Sequence, residues 1–371
     1  MKIGVDVRVL LDKHYSGVSS FTFNLLKSIL KIDQESKYIF FYNSFKKARS
    51  IDFSVEIKKT TYPNKFFNYF LQKILKQPKI NKILKSPDIF YMPHLNFASF
   101  SGCGVITIHD LSFLRYPNFF TCRKNIWHRA INIKSNIKNF SRIIAVSNNT
   151  KNDIIELLGV PEEKIKVVYP GLDHLVDNFL PQDYLKTKFS IRQDYILYLG
   201  TIEPRKNIIG VIKSYNLLRD SGKNIDLVLA GSWGWKTKEI KRAWQESKYR
   251  DNIIFTSYIN DSEKALLYSS AKIFLYPSFY EGFGFPPLEA MRYGIPVIAS
   301  SASSLPEVLG DAAILINPDK PREIADAMKI LLENNEARET LISRGRERVS
   351  RFTWEKTAQE YLNIFYELRE K

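Results

Sequence analysis

A chain of 371 residues is long for one domain, so two α/β domains are expected. Its apolar share of 44% supports a sizeable core, and the sequence has no run of about eighteen apolar residues to span a membrane. The formal charge of +16 is lopsided, with 29 Lys and Arg against 15 Asp and Glu in residues 1–190 but 26 against 24 in residues 191–371.

In chain order, Ile3–Leu10 reads as a first strand and Asp12–Ser20 as a loop. Phe21–Lys31 reads as an amphipathic helix, and Tyr38–Tyr42 and Asp88–Met92 as strands. Gly104–Asp110 is a buried strand ending in the polar pair His109-Asp110. Arg142–Ser147 is another, followed by a helix from Asn149. Ile165–Tyr169 is short and Pro170-Gly171 breaks it, leaving residues 171–192 as a polar connector. A second alternation begins with the strand Tyr195–Gly200 and a helix from about Asn207. Strands follow at Asp226–Gly231, Ile253–Ser257, Lys272–Tyr276, Val297–Ser300 and Ala313–Ile316, and a last helix at Trp354–Arg369. Such alternation is what parallel sheets with crossover helices produce.

The extreme of the charge lies in residues 57–87. Lys58, Lys59, Lys65, Lys73, Lys76, Lys79, Lys82 and Lys85 occur there without one acid, interleaved with Phe66, Phe67, Tyr69, Phe70, Leu71, Ile74 and Leu75. Basic residues among aromatics point to an anionic membrane surface, with a merely solvated lysine face as the alternative. No nucleic-acid motif accompanies the charge, so no nucleic-acid partner is expected. Cys103 and Cys122 make neither a disulfide framework nor a metal spacing and suit a reducing compartment. The charged N-terminus, Met1 to Arg8, lacks the apolar run of a signal peptide. His14, His94, His128 and His174 form no ligand pattern with Cys or acidic pairs, so no metal and no cofactor are expected.

The most informative run is Phe279-Tyr280-Glu281-Gly282-Phe283-Gly284-Phe285-Pro286-Pro287-Leu288-Glu289, in which seven residues separate two glutamates. Its glycines and prolines fix a tight loop between a strand and a helix near Leu288, a usual place for ligands in α/β proteins. Glu289 suits a helix start through the dipole, whereas Glu281 caps nothing obvious. Gly200-Thr201-Ile202-Glu203-Pro204-Arg205-Lys206-Asn207 follows another strand and opens a helix. The N-terminal dipole and two cations there would suit phosphate.

The Glu281–Glu289 run continues through Tyr293–Ser300, Leu305–Val308, Gly310–Ala313 and Asn317-Pro318. This stretch resembles the signature of the retaining GT-B glycosyltransferases of family 4. The resemblance implies two Rossmann-like doubly wound domains facing across a cleft, with the C-terminal helix crossing back to the first domain. Expected bounds are residues 1–175 for an acceptor domain, 190–352 for a donor domain and 353–371 for the helix. By resemblance Arg205 and Lys206 meet the donor diphosphate, Glu281 the donor sugar, and Glu289 the ribose hydroxyls. Gly200, Thr201, Tyr258, Ile259, Gly282, Phe283, Gly284, Phe285 and Leu288 complete the donor side. His109 and Asp110, with Ser16 and Gly17 in the loop before the first helix, are placed on the acceptor side; only Gly17 survives of the family's glycine-rich loop there. His109 is counted with Arg205, Lys206 and Glu281 as catalytic, whether by chemistry or by positioning. The run His109–Pro117 is similar to bacterial mannosyltransferases and rhamnosyltransferases of surface-polysaccharide (O-antigen or capsule) synthesis.

The expected activity is therefore transfer of a hexosyl unit, with GDP-mannose preferred as donor, to a glycan or polyprenyl-linked saccharide. It would proceed without metal, in the cytoplasm or peripherally at the inner face of the cell membrane. A UDP or other nucleotide donor, a non-catalytic nucleotide-sugar or glycan-binding protein, and a membrane scaffold built on residues 57–87 remain open at this point.

Overall fold

The computed structural model describes residues 1–11, 17–45, 51–172 and 180–370. The chain divides into two compact units. Met1–Leu111, Arg123–Asp173 and Phe352–Lys371 make the first, and Ser112–Cys122 with His174–Arg351 the second.

Among the described residues of the first unit, seven strands form one parallel sheet. They are β1 (Lys2–Asp6), β2 (Lys37–Asn43), β3 (Glu56–Thr60), β4 (Ile89–Met92), β5 (Cys103–Ile108), β6 (Arg142–Ala145) and β7 (Ile165–Val167), in the order β3-β2-β1-β4-β5-β6-β7. Helices cover the sheet, as in any doubly wound fold, so the inner strands are continuous apolar runs. The strand order reverses between β1 and β4, which opens a crevice at their carboxyl ends.

β1 is shorter than the apolar run suggests. Arg8 turns back onto Asp6, its backbone N–H donating to Oδ1 at 3.1 Å and its guanidinium reaching Oδ2 at 2.5 Å, and a 3-10 turn Arg8–Leu11 replaces the end of the strand. β3 was not expected. It pairs only with β2 at the sheet edge, where a polar, lysine-rich strand is tolerated.

The C-terminal helix Trp354–Arg369 belongs to the first unit and packs on the helix Gly17–Ile32. Tyr361 anchors it, its hydroxyl 2.8 Å from Thr107 Oγ1 on β5, and the Tyr91 hydroxyl lies 2.9 Å from that same Thr107 Oγ1. Thr357 Oγ1 donates to the Tyr169 carbonyl at 2.8 Å. Gly171 is needed here, because a Cβ at that position would lie 2.4 Å from the Trp354 backbone nitrogen.

Among the described residues of the second unit, six strands form a second parallel sheet. They are β8 (Tyr195–Leu199), β9 (Asp226–Ala230), β10 (Ile253–Ser257), β11 (Ile273–Tyr276), β12 (Val297–Ser300) and β13 (Ala313–Ile316), in the order β10-β9-β8-β11-β12-β13. The reversal falls between β8 and β11. The loops that follow those two strands, Gly200–Asn207 and Pro277–Gly284, are therefore brought together although about 75 residues separate them in sequence. The expected connector 171–192 contains a short helix, Asp183–Phe189, which buries Leu185 and Phe189 one turn apart. Among the described residues no helix is long and apolar enough to cross a membrane.

Candidate active site

The two loops at the β8–β11 switch point carry four charged side chains into one buried cluster. Pro204–Lys206 forms a 3-10 turn, and Asn207, in the left-handed region, caps the helix Ile208–Asp220 by accepting from Gly210 N–H. Arg205 and Lys206 thereby sit at the carboxyl end of β8 facing the Glu281 loop. Arg205 donates to Glu203 Oε1 at 2.9 Å, to Glu281 Oε2 at 3.1 Å and to the Tyr280 carbonyl at 2.6 Å. Lys206 Nζ donates to Glu281 Oε1 at 2.5 Å and to the Tyr276 hydroxyl at 2.5 Å, and lies 4.9 Å from the centre of that ring. Glu203 is 2% exposed, and Lys206 and Glu281 are 7% exposed each.

Charge balance governs this cluster. Burial alone would raise the Glu281 carboxyl, but Arg205 and then Lys206 outweigh it and bring it down to about 2. Burial lowers the Lys206 ammonium, with Arg205 acting in the same direction and Glu281 opposing. Glu203 goes the other way. Burial raises it, Arg205 and Lys206 pull it down, and Glu281 pushes it up, for a net rise. Its Oε1 is held by Arg205, while its buried Oε2 has no hydrogen-bond partner.

The Glu281 loop is fixed from behind. Ser303 Oγ accepts from Glu281 N–H at 2.9 Å, and Ser304 Oγ donates to the carbonyls of Glu281 and Phe283 at 3.0 Å each. Gly284 closes the loop with φ +104°, and a Cβ there would meet Leu305 at 2.5 Å, so only glycine fits. The helix then starts at Phe285 rather than near Leu288, with prolines in its first turn and Leu288 fully buried.

Glu289 stands apart from the quartet, pairing with Lys264 Nζ at 3.2 Å and accepting from the Tyr268 hydroxyl at 2.9 Å. It lies in the second turn of its helix, so the dipole explains it less well than this pair does. Thr201 is exposed and Gly200 N–H donates to the Ala230 carbonyl at 2.9 Å. Tyr258 is 59% exposed and Ile259 half-buried. The sequence reading missed Glu203, Tyr276, Ser303, Ser304, Lys264 and Tyr268. The first was visible, since an acid two residues before Arg205 in a phosphate-like turn begs for a partner.

A short segment of earlier chain completes this unit. The Phe119 ring stacks on Phe279 with centres 5.6 Å apart, and Tyr116 meets Tyr280 edge-on at 5.8 Å. Trp235 donates its indole N–H to the Phe119 carbonyl at 2.7 Å, and its ring stacks on Phe120 at 5.9 Å. Phe279 and Tyr280, just ahead of Glu281, are thus buttressed by Phe119 and Tyr116.

In the first unit His109 follows β5. Its Nε2 lies 2.8 Å from the Pro93 carbonyl, which can only accept, so Nε2 carries the proton and Nδ1 of the neutral ring is an acceptor. Burial lowers its pKa, opposed by the Pro93 carbonyl and Asp110. The ring packs edge-on against Phe21 at 4.7 Å. Asp110 is half-buried beside it, and Gly17 begins the helix Gly17–Ile32. Ser16 lies outside the described residues. At the β1–β4 switch point the Asp6–Arg8 pair is joined by His94, brought down to about 4 by burial and by the positive charge of Arg8, against the pull of Asp6. Among the described residues no group of three or more His, Cys, Asp or Glu side chains is placed to hold a metal.

Comparison with known proteins bears on the family and the fold. Residues 185–348 match the family of glycosyl transferases group 1, and residues 15–174 match glycosyltransferase family 4. The chain is 31% identical over 280 residues to the O-antigen chain mannosyltransferase B of Escherichia coli, covering 74% of this chain and 72% of that one. It is 29% identical over 276 residues to the serotype-specific mannosyltransferase WbdA of Escherichia coli, spanning 71% of this chain but only 33% of that protein. In fold it is similar to a sucrose-phosphate synthase from Thermosynechococcus elongatus, with a TM-score of 0.77 at 19% identity over 99% of this chain and 98% of that one. HepE of Anabaena, solved in complex with UDP-glucose, gives 0.74 at 17% identity, over 99% of this chain and all of that one. The chain belongs to the group 1, family 4 glycosyltransferases, retaining and metal-independent enzymes of the GT-B fold.

Proposed function

We propose that the protein moves a mannosyl unit from GDP-mannose to a glycan or lipid-linked saccharide of a surface polysaccharide. The second unit would bind the donor and the first the acceptor. The observation that carries this reading is the buried cluster of Arg205, Lys206 and Glu281 at a topological switch point. As the bond from the sugar to the diphosphate breaks, charge builds on the leaving phosphate, and two preorganised cations in a site of low dielectric stabilise that change. Glu281, held ionised, faces the sugar with the backbone of Gly282 to Phe285 beside it. Glu289 takes the ribose hydroxyls, while Gly200, Thr201, Leu288, Tyr258 and Ile259 line the rest of the nucleotide. On the acceptor side Ser16, Gly17, His109 and Asp110 position the incoming hydroxyl. The neutral His109 ring serves as a positioning group or a proton acceptor through Nδ1.

The names of the E. coli relatives support a mannosyl donor, while the UDP-glucose complex of HepE makes the base the point to test. A thermal-shift panel of GDP-mannose, GDP, UDP-glucose and UDP decides it. The preferred nucleotide at a hundredfold excess over Kd should stabilise the protein by roughly 2.7 kcal/mol. Equal silence from every nucleotide would sink the donor assignment. Glu289→Gln should weaken nucleotide binding and leave kcat at saturating donor nearly unchanged, because a ribose contact is present in ground and transition states alike. A large loss of kcat with unchanged KM would contradict that role.

The lysine-rich segment supports work at a membrane, on the cytoplasmic face. Phe66, Tyr69, Phe70, Ile74 and Leu75 are 44, 37, 43, 65 and 51% exposed on one helical segment, Phe66–Leu75, beside the exposed Lys65, Lys73, Lys76 and Lys82. Lys58 and Lys85 are already paired with Glu56 at 2.9 and 3.3 Å, so six of the eight lysines remain for lipid. Each contributes about 1 kcal/mol near an anionic surface, screened by salt. The protein should sediment with anionic vesicles at low salt and release at high salt. Changing Lys73, Lys76, Lys79 and Lys82 together to Gln should abolish most of that binding without altering donor hydrolysis. Wild-type protein that stays in the supernatant at low salt would leave these lysines as a solvated face.

A further inference from the structure

The donor site as it stands is electrically closed. Arg205 is held by Glu203 and Glu281, and Lys206 by Glu281, so two cations face two carboxylates. A diphosphate entering this cluster adds anions to a buried place whose cations are already matched, and uncompensated charge in such a place is costly. Something must give up a negative charge. Glu281 is a poor choice, because it receives hydrogen bonds from both Arg205 and Lys206. Glu203 is the better one. Only Oε1 is engaged, and the buried Oε2 has no partner.

We propose that Glu203 is the counter-ion that the donor displaces: it holds Arg205 while the site is empty and takes up one proton on Oε2 when a nucleotide-sugar diphosphate claims the guanidinium. This rests on the donor reading above. The proton comes from solvent, one O–H bond forms, and no other bond changes. The proton turns a stranded acceptor into a donor and offsets one of the two negative charges that the diphosphate brings. The groups that face Glu203 are Arg205 and Lys206 on its own loop, Glu281 on the neighbouring loop, and Tyr198 on β8. Tyr198 and Tyr276 are both driven well above the usual phenol range by burial first and by Glu281 next, so neither supplies a proton or loses one near neutral pH. The net upward shift of Glu203 already points toward protonation, and an arriving diphosphate pushes the same way.

Nucleotide sugars suit the test because neither phosphate keeps a group that titrates near neutral pH, and the guanine and uracil ring N–H groups ionise only in more alkaline solution, so between pH 6 and 8 any proton exchanged belongs to the protein. The experiment is isothermal titration of the full chain with GDP-mannose and with UDP-glucose, each in two buffers of different ionisation enthalpy, from pH 6 to 8. Wild-type protein should take up close to one proton per donor bound at the alkaline end, with affinity falling roughly tenfold per pH unit there. Glu203→Gln, which keeps an oxygen for Arg205 without the charge, should take up none and should bind more tightly than wild type at pH 8. Binding by wild type with no buffer dependence at any pH overturns the proposal even if the variant does not fold. So does an unchanged uptake in Glu203→Gln, which would place the proton elsewhere. Absence of binding by either nucleotide sugar overturns the donor reading itself, and this inference with it.

Discussion

Arg205→Ala and Lys206→Ala should each lower kcat by about 10²–10³-fold, the usual cost of removing one preorganised group that stabilises developing charge. The two variants differ in their side effects. Arg205→Ala leaves Glu203 without the hydrogen bond it receives at Oε1, whereas Lys206→Ala removes the ammonium from beneath the Tyr276 hydroxyl and one of two cations from Glu281. Both losses are buried, so each variant needs its fold checked by circular dichroism before its kinetics are read. The effect should fall on kcat at saturating donor, because the diphosphate gains its charge as the sugar leaves. Near wild-type turnover from both, with the fold intact, would remove Arg205 and Lys206 from the chemistry.

The second large effect concerns Glu281. Replacing it by Ala leaves Lys206 buried without a carboxylate, and breaking a buried pair from one side costs about 3–5 kcal/mol. Glu281→Gln is milder and should lower kcat more than it raises KM if its contact tightens as the sugar flattens; the reverse split in donor-titrated kinetics would contradict the role. The pH dependence of stability has a definite sign. The folded carboxyl is held at about 2 against an ordinary 4.5. Its contribution is therefore fully present above about 4.5 and is lost as pH falls through about 2. Denaturant melts of the wild type should steepen in their acid dependence across that window, and the Gln variant should be flatter. Parallel acid limbs would show that Arg205 and Lys206 do not hold Glu281 ionised.

Much of the architecture was legible because buried parallel strands are runs of apolar residues. Tyr195–Leu199, Val297–Ser300 and Ala313–Ile316 stand where the runs are, and the helix Trp354–Arg369 where the last amphipathic stretch is. What escaped had a polar or long-range cause. The edge strand Glu56–Thr60 has no apolar alternation to announce it. The end of β1 is set by a side-chain fork, Arg8 on Asp6, inside a run that otherwise favours continued strand. The helix Asp183–Phe189 is announced only by Leu185 and Phe189 among charged neighbours. In the candidate site the residue types were visible but their partners were not. That Glu281 would meet Arg205 and Lys206 depends on β8 lying beside β11, and strand order is not written in either loop.

The segment Ser112–Cys122 bears on how the protein is made. The chain leaves the first unit after Leu111, contributes Tyr116, Phe119 and Phe120 to the second, and returns at Arg123. Their partners Trp235, Phe279 and Tyr280 come more than a hundred residues later. On a ribosome that delivers residues in order, these aromatics emerge well before those later partners exist. The first unit also waits, since its helix Trp354–Arg369 emerges only after His174–Arg351 of the second unit. Neither half can finish before the other is nearly complete. The chain is therefore obliged to fold as an interleaved whole, and dividing it between β7 and the helix Asp183–Phe189 would give two incomplete objects rather than two domains.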